Sequence, residues 1–165
     1  MCKAKTYSDI KDGGNFYKIK SQDFIFPDGK VQTREYIDKK RSSVVVPVTT
    51  QGNIVLIIQP IALSKEGSLL EFPAGYYEFN ENGIEAGIIE LAEETGYVAT
   101  NIIPLGCHYQ DPGSISQSVE SYLALNCIKL KEQNLDKDEY IKYIEVPYSF
   151  AKELFYDGYI MDSNS

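Results

Sequence analysis

The chain has 165 residues, 43% of them hydrophobic and 24% charged, the mix of one soluble globular domain with a sizeable core. Its formal net charge of −8 argues against broad, sequence-independent binding to DNA, RNA or anionic lipid, since those need a basic face. It leaves open a phosphorylated small molecule, because a divalent metal neutralises both partners.

Residues 1–14 are polar, lack the apolar core of a signal peptide and end in Gly13-Gly14, so they read as a loose tail. Asn15 to Phe26 alternates and is rich in β-formers, Pro27-Asp28-Gly29-Lys30 makes a turn, and Val31 to Ile37 returns. Residues 15–38 are therefore expected as a hairpin. Next come two continuous apolar strands, 43–48 and 54–58, and a third from Leu69 to Phe72. Residues 83–95 carry a helical period. Ile102 to Tyr109, Val119 to Ile128 and Tyr140 to Val146 read as strands, and Ser149 to Tyr156 as a short helix closed by Gly158. Strands outnumber helices and mostly follow one another, which predicts an α+β fold, a mixed sheet with the long helix packed on it.

No apolar run approaches the roughly 18 residues of a membrane helix. Cys2, Cys107 and Cys127 lie far apart with no CxxC pair, so they read as reduced thiols, with the cytoplasm as the expected location.

The 83–95 helix holds the most informative side chains. At about 100° per residue, Ile84, Ile88 and Leu91 form an apolar stripe expected to face the core. Glu90, Glu93 and Glu94 stand at i, i+3 and i+4 on another face, where they repel one another. They also occupy the last turn, where the helix dipole disfavours anions. A hard divalent cation removes both penalties, and all-oxygen ligands suit Mg²⁺ or Mn²⁺. The other reading of the same residues is a solvated acidic face.

The flanking residues extend the pattern. Gly75, Glu81, Ile89-Glu90-Leu91, Glu93-Glu94 and Gly96-Tyr97 meet every fixed spacing of the Nudix box, and Leu70-Glu71-Phe72-Pro73-Ala74 before it resembles family sequence. The chain thus resembles the Nudix hydrolases. The resemblance implies a Nudix fold, a mixed β-sheet sandwich with the box helix packed on it. It also implies metal held by Glu90, Glu93, Glu94 and the Ala74/Gly75 backbone, with Glu81 supporting the helix. Two residues depart from the box. Tyr97 replaces an aliphatic residue, and Ile89 replaces an arginine that orients the metal-binding glutamate in the family; isoleucine donates no hydrogen bond.

From about residue 15 to 163 the chain is similar to the ADP-ribose pyrophosphatase branch. That likeness implies a small dimerising β-region over 1–40, hence a homodimer, and a Nudix domain over 41–165. It also implies substrate contacts from Arg34, Glu35, Gln59 and Gly113. Departures gather at the ligand. Ile61 stands where an arginine is expected, and the loop glutamate that acts as general base falls near Gln117, which cannot take a proton. Some relatives draw that base from a later loop, where Glu132 and Glu139 stand, with Glu120 nearer. Glu139 is taken with Glu90 and Glu93 as the catalytic set. Tyr76 and Tyr77 are expected either to line the pocket or to cover the sheet.

Two functions follow as expectations. The first is Mg²⁺- or Mn²⁺-dependent hydrolysis of a nucleoside diphosphate linked to a second group, ADP-ribose or a nucleotide sugar. The second, motivated by Ile89, Ile61 and Gln117, is a weak or inactive Nudix domain that binds a nucleotide as a sensor or partner-binding module.

Overall fold

The computed structural model describes the backbone of residues 3–12, and residues 18–62 and 64–165 with their side chains. The chain divides into two compact units, residues 1–40 with 109–118, and residues 41–108 with 119–165. Segment 109–118, which the sequence places with the second domain, thus groups with the first unit.

In the first unit, β1 (Lys3–Asp12), β2 (Lys18–Ile25) and β3 (Val31–Asp38) form an antiparallel three-stranded sheet in that order. Most of the expected tail is therefore a strand, whose ladder with β2 pairs the backbone groups on its inner edge. Residues 13–17, with the Gly13-Gly14 pair and the expected start of the hairpin, lie outside the described residues. The β2–β3 turn forms as expected: Gly29 takes φ 85°, and the Lys30 amide donates to Asp28. Ile37 exchanges backbone hydrogen bonds with Ser114 and Ser116, which ties the 109–118 loop to β3.

The second unit holds β4 (Arg41–Thr49), β5 (Asn53–Pro60), β6 (Ser68–Glu71), β7 (Ala74–Tyr77), α1 (Gly83–Thr95), β8 (Tyr97–Val98), β9 (Asn101–Tyr109), β10 (Ser118–Lys129), β11 (Lys142–Pro147) and α2 (Tyr148–Tyr156). Its sheet runs β11-β5-β4-β10-β8, with β6 on β5, β7 on β4 and β9 on β10. The sheet is mixed, since β10 runs parallel to β4 while β4–β5, β4–β7 and β5–β11 are antiparallel. This is the expected α+β class.

The continuous apolar run of β5 reflects burial on both faces. Val55 joins Val45, Leu91, Tyr97 and Tyr122 in one core cluster; Ile54 and Leu56 join Val146, Ala151 and Ile160 in another. α1 packs on β4 and β7, and α2 on β5 and β11. Among the described residues no helix is long and apolar enough to cross a membrane. Cys107 and Cys127 are free thiols.

Candidate active site

α1 starts and stops where its sequence supplies caps. Asn82 accepts from the Ile84 amide at 3.0 Å. Gly96, at φ 76°, donates to the Ala92 carbonyl at 2.9 Å, and the conformation favours glycine there.

The face that α1 buries differs from the expected stripe. It consists of Gly83, Gly87, Leu91, Glu94 and Thr95. A Cβ at Gly87 would stand 2.5 Å from Ser43 Oγ and 2.8 Å from Val45 Cγ2, so the helix lies too close to β4 for a side chain. Ile84 still packs against the core, but Ile88 is only partly buried. The wheel weights positions by hydrophobicity, and glycine scores low on it precisely where close packing needs no side chain at all.

That close approach sets the carboxylates against β7. Glu94 is only 3% exposed and accepts from the Ala74 amide at 3.1 Å. The Glu90 carboxyl occupies the space where a Cβ on Gly75 would stand. Burial, followed by the neighbouring charge of Glu90, pushes the Glu94 carboxyl up to about 9. Burial, followed by Glu93, Glu139 and Asp136, pushes Glu90 up to about 7. A cluster so destabilised in its charged form is the electrostatic environment a divalent cation relieves. The donor set, carboxylates plus the Gly75 carbonyl, is that of a hard ion. Ser42 Oγ donates to that carbonyl at 3.1 Å. Among the described residues no three carboxylate, thiol or imidazole side chains converge on one point. A shell built here therefore needs a rotamer change.

The loop after β10 closes the helix's C-terminal end. The Asn134 amide donates to the Glu93 carbonyl at 2.9 Å, and the Leu130 and Lys131 amides to that of Gly96 at 3.1 and 3.2 Å. The same loop carries Asp136 and Glu139, whose charges act on Glu90. Of the candidate bases, Glu139 alone acts on both buried carboxyls. Glu120 bonds the Tyr122 hydroxyl beside Gly83, at the opposite end of the helix, and Glu132 is exposed beside Lys129. Gln117, at the position expected for a base, is 1% exposed and its Oε1 has no hydrogen-bond partner.

Other expected residues are placed as follows. Tyr77 is buried and Tyr76 exposed, and both line a cleft of about 450 Å³ with Glu81, Glu85, Ile89 and Glu90. Ile89 is 54% exposed. Glu81 accepts from the Glu78 amide at 2.6 Å ahead of the helix. Arg34, Glu35 and Gly113 come together around a cavity of about 610 Å³ in the first unit, with Tyr36 and Tyr109. Gln59 stands in the second unit, where its amide donates to Glu71 at 2.7 Å. Ile61 opens a turn that returns at Gly67.

Sequence reasoning missed the part played by Tyr97. Its ring is buried in the core and its hydroxyl donates to Glu145 at 2.6 Å. A tyrosine at an aliphatic position was the available signal.

Against solved structures, the chain matches an ADP compounds hydrolase with TM-score 0.78 at 20% identity, over 98% of this chain and 86% of that one. This is the Nudix fold. The chain is also 29% identical over 153 residues to the ADP-ribose pyrophosphatase of Bacillus subtilis strain 168, covering 92% of the chain and 82% of that relative. It is 28% identical, with the same coverage, to a methanol dehydrogenase activator of Bacillus methanolicus. Over 89 residues it is 36% identical to an uncharacterized Nudix hydrolase of Schizosaccharomyces pombe, covering 51% of the chain and 43% of that relative. No family model matches. The resemblance to Nudix hydrolases of the ADP-ribose pyrophosphatase-like branch, drawn from residues 75–97 and their flanks, agrees with these relatives.

Proposed function

We propose that the chain is a divalent-metal-dependent hydrolase of a nucleoside diphosphate linked to a second group, of the ADP-ribose or nucleotide-sugar type. The observation that carries this reading is the buried carboxyl pair, Glu90 against Gly75 and Glu94 on the Ala74 amide. Their ionisation is costly unless a cation joins them.

Glu90, Glu93 and Glu94, with the Gly75 carbonyl, would hold Mg²⁺ or Mn²⁺. When bound, the ion supplies Lewis-acid polarisation of a phosphoryl oxygen and an acidified water. The Ala74 amide holds Glu94 in place, and the absence of a Cβ at Gly75 leaves Glu90 its position. Glu139 would take the proton of the attacking water. In the first unit, Arg34 and Glu35 would bind the nucleoside end by hydrogen bonds, with Tyr36 and Tyr109 offering stacking faces and Gly113 admitting close backbone approach. Gln59 would act at the ligand only through groups its bond to Glu71 leaves free. We further propose a homodimer formed through the N-terminal sheet.

A second reading, a nucleotide-binding module with weak or no turnover, is favoured by Ile89 and by the enclosure of Gln117. One experiment separates the two. The purified chain is incubated with Mg²⁺ or Mn²⁺ and a panel of ADP-ribose, nucleotide sugars, dinucleoside polyphosphates and nucleoside triphosphates, with chelator as control. Metal-dependent release of a nucleoside monophosphate is expected. Binding of a panel member without any release would establish the second reading instead.

A further inference from the structure

The loop from Leu130 to Ile141 is held by one side chain at both of its ends. The Gln133 side-chain amide donates to the Glu94 carbonyl at 2.5 Å and to the Ile141 carbonyl at 3.2 Å. An amide NH₂ has two hydrogens, so both bonds form at once. The first partner belongs to the last turn of α1. The second lies where the loop returns to β11. Between them the chain makes a tight turn, in which the Glu139 amide donates to the Asp136 carbonyl and the Asp136 amide donates to Glu139 Oε2, each at 3.0 Å. Glu139 is therefore fixed relative to its own loop by that turn. It is fixed relative to α1 by Gln133 and by the Asn134 amide on Glu93.

We infer that Gln133 is a positioning residue for the reaction: its amide latches onto the last turn of α1 the loop that carries Glu139. The inference rests on the hydrolase reading above. It adds that the loop carrying the base is aligned on α1 by a neutral side-chain amide, alongside the Asn134 backbone amide. The helix end suits such a latch, because its last carbonyls have no partner within the helix and must find donors elsewhere. Gln133 takes one of these carbonyls, while the Asn134 amide takes another.

The test is a double-mutant cycle. Gln133→Met keeps the length and removes both donors. On the intact chain with Mg²⁺ and the panel substrate turned over fastest, it is expected to lower kcat about tenfold, with KM and thermal stability little changed. In the Glu139→Gln background the same substitution is expected to cost less than about twofold, since the group it positions is already gone. Gln133→Lys, which restores a donor, is expected to recover part of the loss. Equal losses in both backgrounds, or an unaltered kcat, would overturn the latch. Gln133→Glu, also without a donor, is read the same way should the methionine variant not fold.

Hydrogen exchange gives an independent reading. Amides 136 and 139 are expected to exchange about tenfold faster in Gln133→Met, with α1 unchanged. Unchanged exchange in the turn contradicts the latch. A wild-type chain that hydrolyses nothing contradicts only the hydrolase reading, and the exchange measurement then decides the latch by itself.

Discussion

At Glu94, stability and function pull in opposite directions. Its carboxyl stands at about 9 in the folded chain against an ordinary 4.5, because burial penalises the charge. The folded state therefore binds that proton more tightly than the unfolded state, and stability is lost as pH rises from about 4.5 towards 9. Glu94→Gln keeps an acceptor for the Ala74 amide and removes the charge. Metal-free protein carrying it is expected to melt higher than wild type at pH 8 by differential scanning calorimetry, with the gap closing towards pH 5. The same variant, and Glu93→Gln, should each weaken Mn²⁺ binding at least tenfold, about 1.4 kcal/mol. Titration calorimetry showing unchanged affinity in both would remove the metal assignment. Ile89 offers the converse test. With about half its surface in solvent, position 89 lets an arginine keep its charge in water. Ile89→Arg is therefore expected to leave the melting temperature unchanged and to raise hydrolysis about tenfold by restoring a donor beside the carboxylates. A variant equally stable yet no faster on any substrate would favour the binding module.

Elements with strong local signals were legible in the sequence, and those defined by partners were not. Asn82 and Gly96 fix the ends of α1, and Pro27 to Lys30 fix the β2–β3 turn; both are local chemistry. The strand β1 has no such signal, since its polar residues pair only because β2 lies beside them. The buried face of α1 was misread because Gly83 and Gly87 owe their burial to Tyr122 and Ser43, far away in sequence. Acidic spacing showed the carboxylates, but not that Glu94 would be enclosed or that Gln133 and Asn134 would close the helix end. Tyr97 belongs to the same class of misses. Burial, then the hydrogen bond to Glu145, holds its hydroxyl proton tightly. Glu145 is in turn lowered below 4.5, first by Tyr97, then by Asn53 and Thr49. A depressed carboxyl stabilises the fold above about pH 4.5 and stops doing so as pH falls through its folded value. Tyr97→Phe is expected to cost about 1 kcal/mol near pH 7, roughly 2–4 °C for a chain of this size. The loss should shrink below pH 4. A pH-independent loss in thermal unfolding would mean that the bond to Glu145 contributes nothing.

At the scale of the whole molecule, the first unit is a three-stranded sheet, and such a sheet needs a covered apolar face to be stable. It exposes Val31 and Tyr109. Packing on a second copy would bury such surface, and light scattering at micromolar concentration is expected to give twice the 18.6 kDa chain mass. A lone monomer would refute the homodimer. The central claim, that the α1 carboxylates hold the metal for cleavage of a nucleoside diphosphate, is tested most directly by following AMP released from ADP-ribose in Mg²⁺. Wild type and Glu93→Gln are assayed side by side at equal concentration. Metal-dependent AMP release by wild type, cut at least tenfold in the variant, is expected. Equal release by both would contradict the claim.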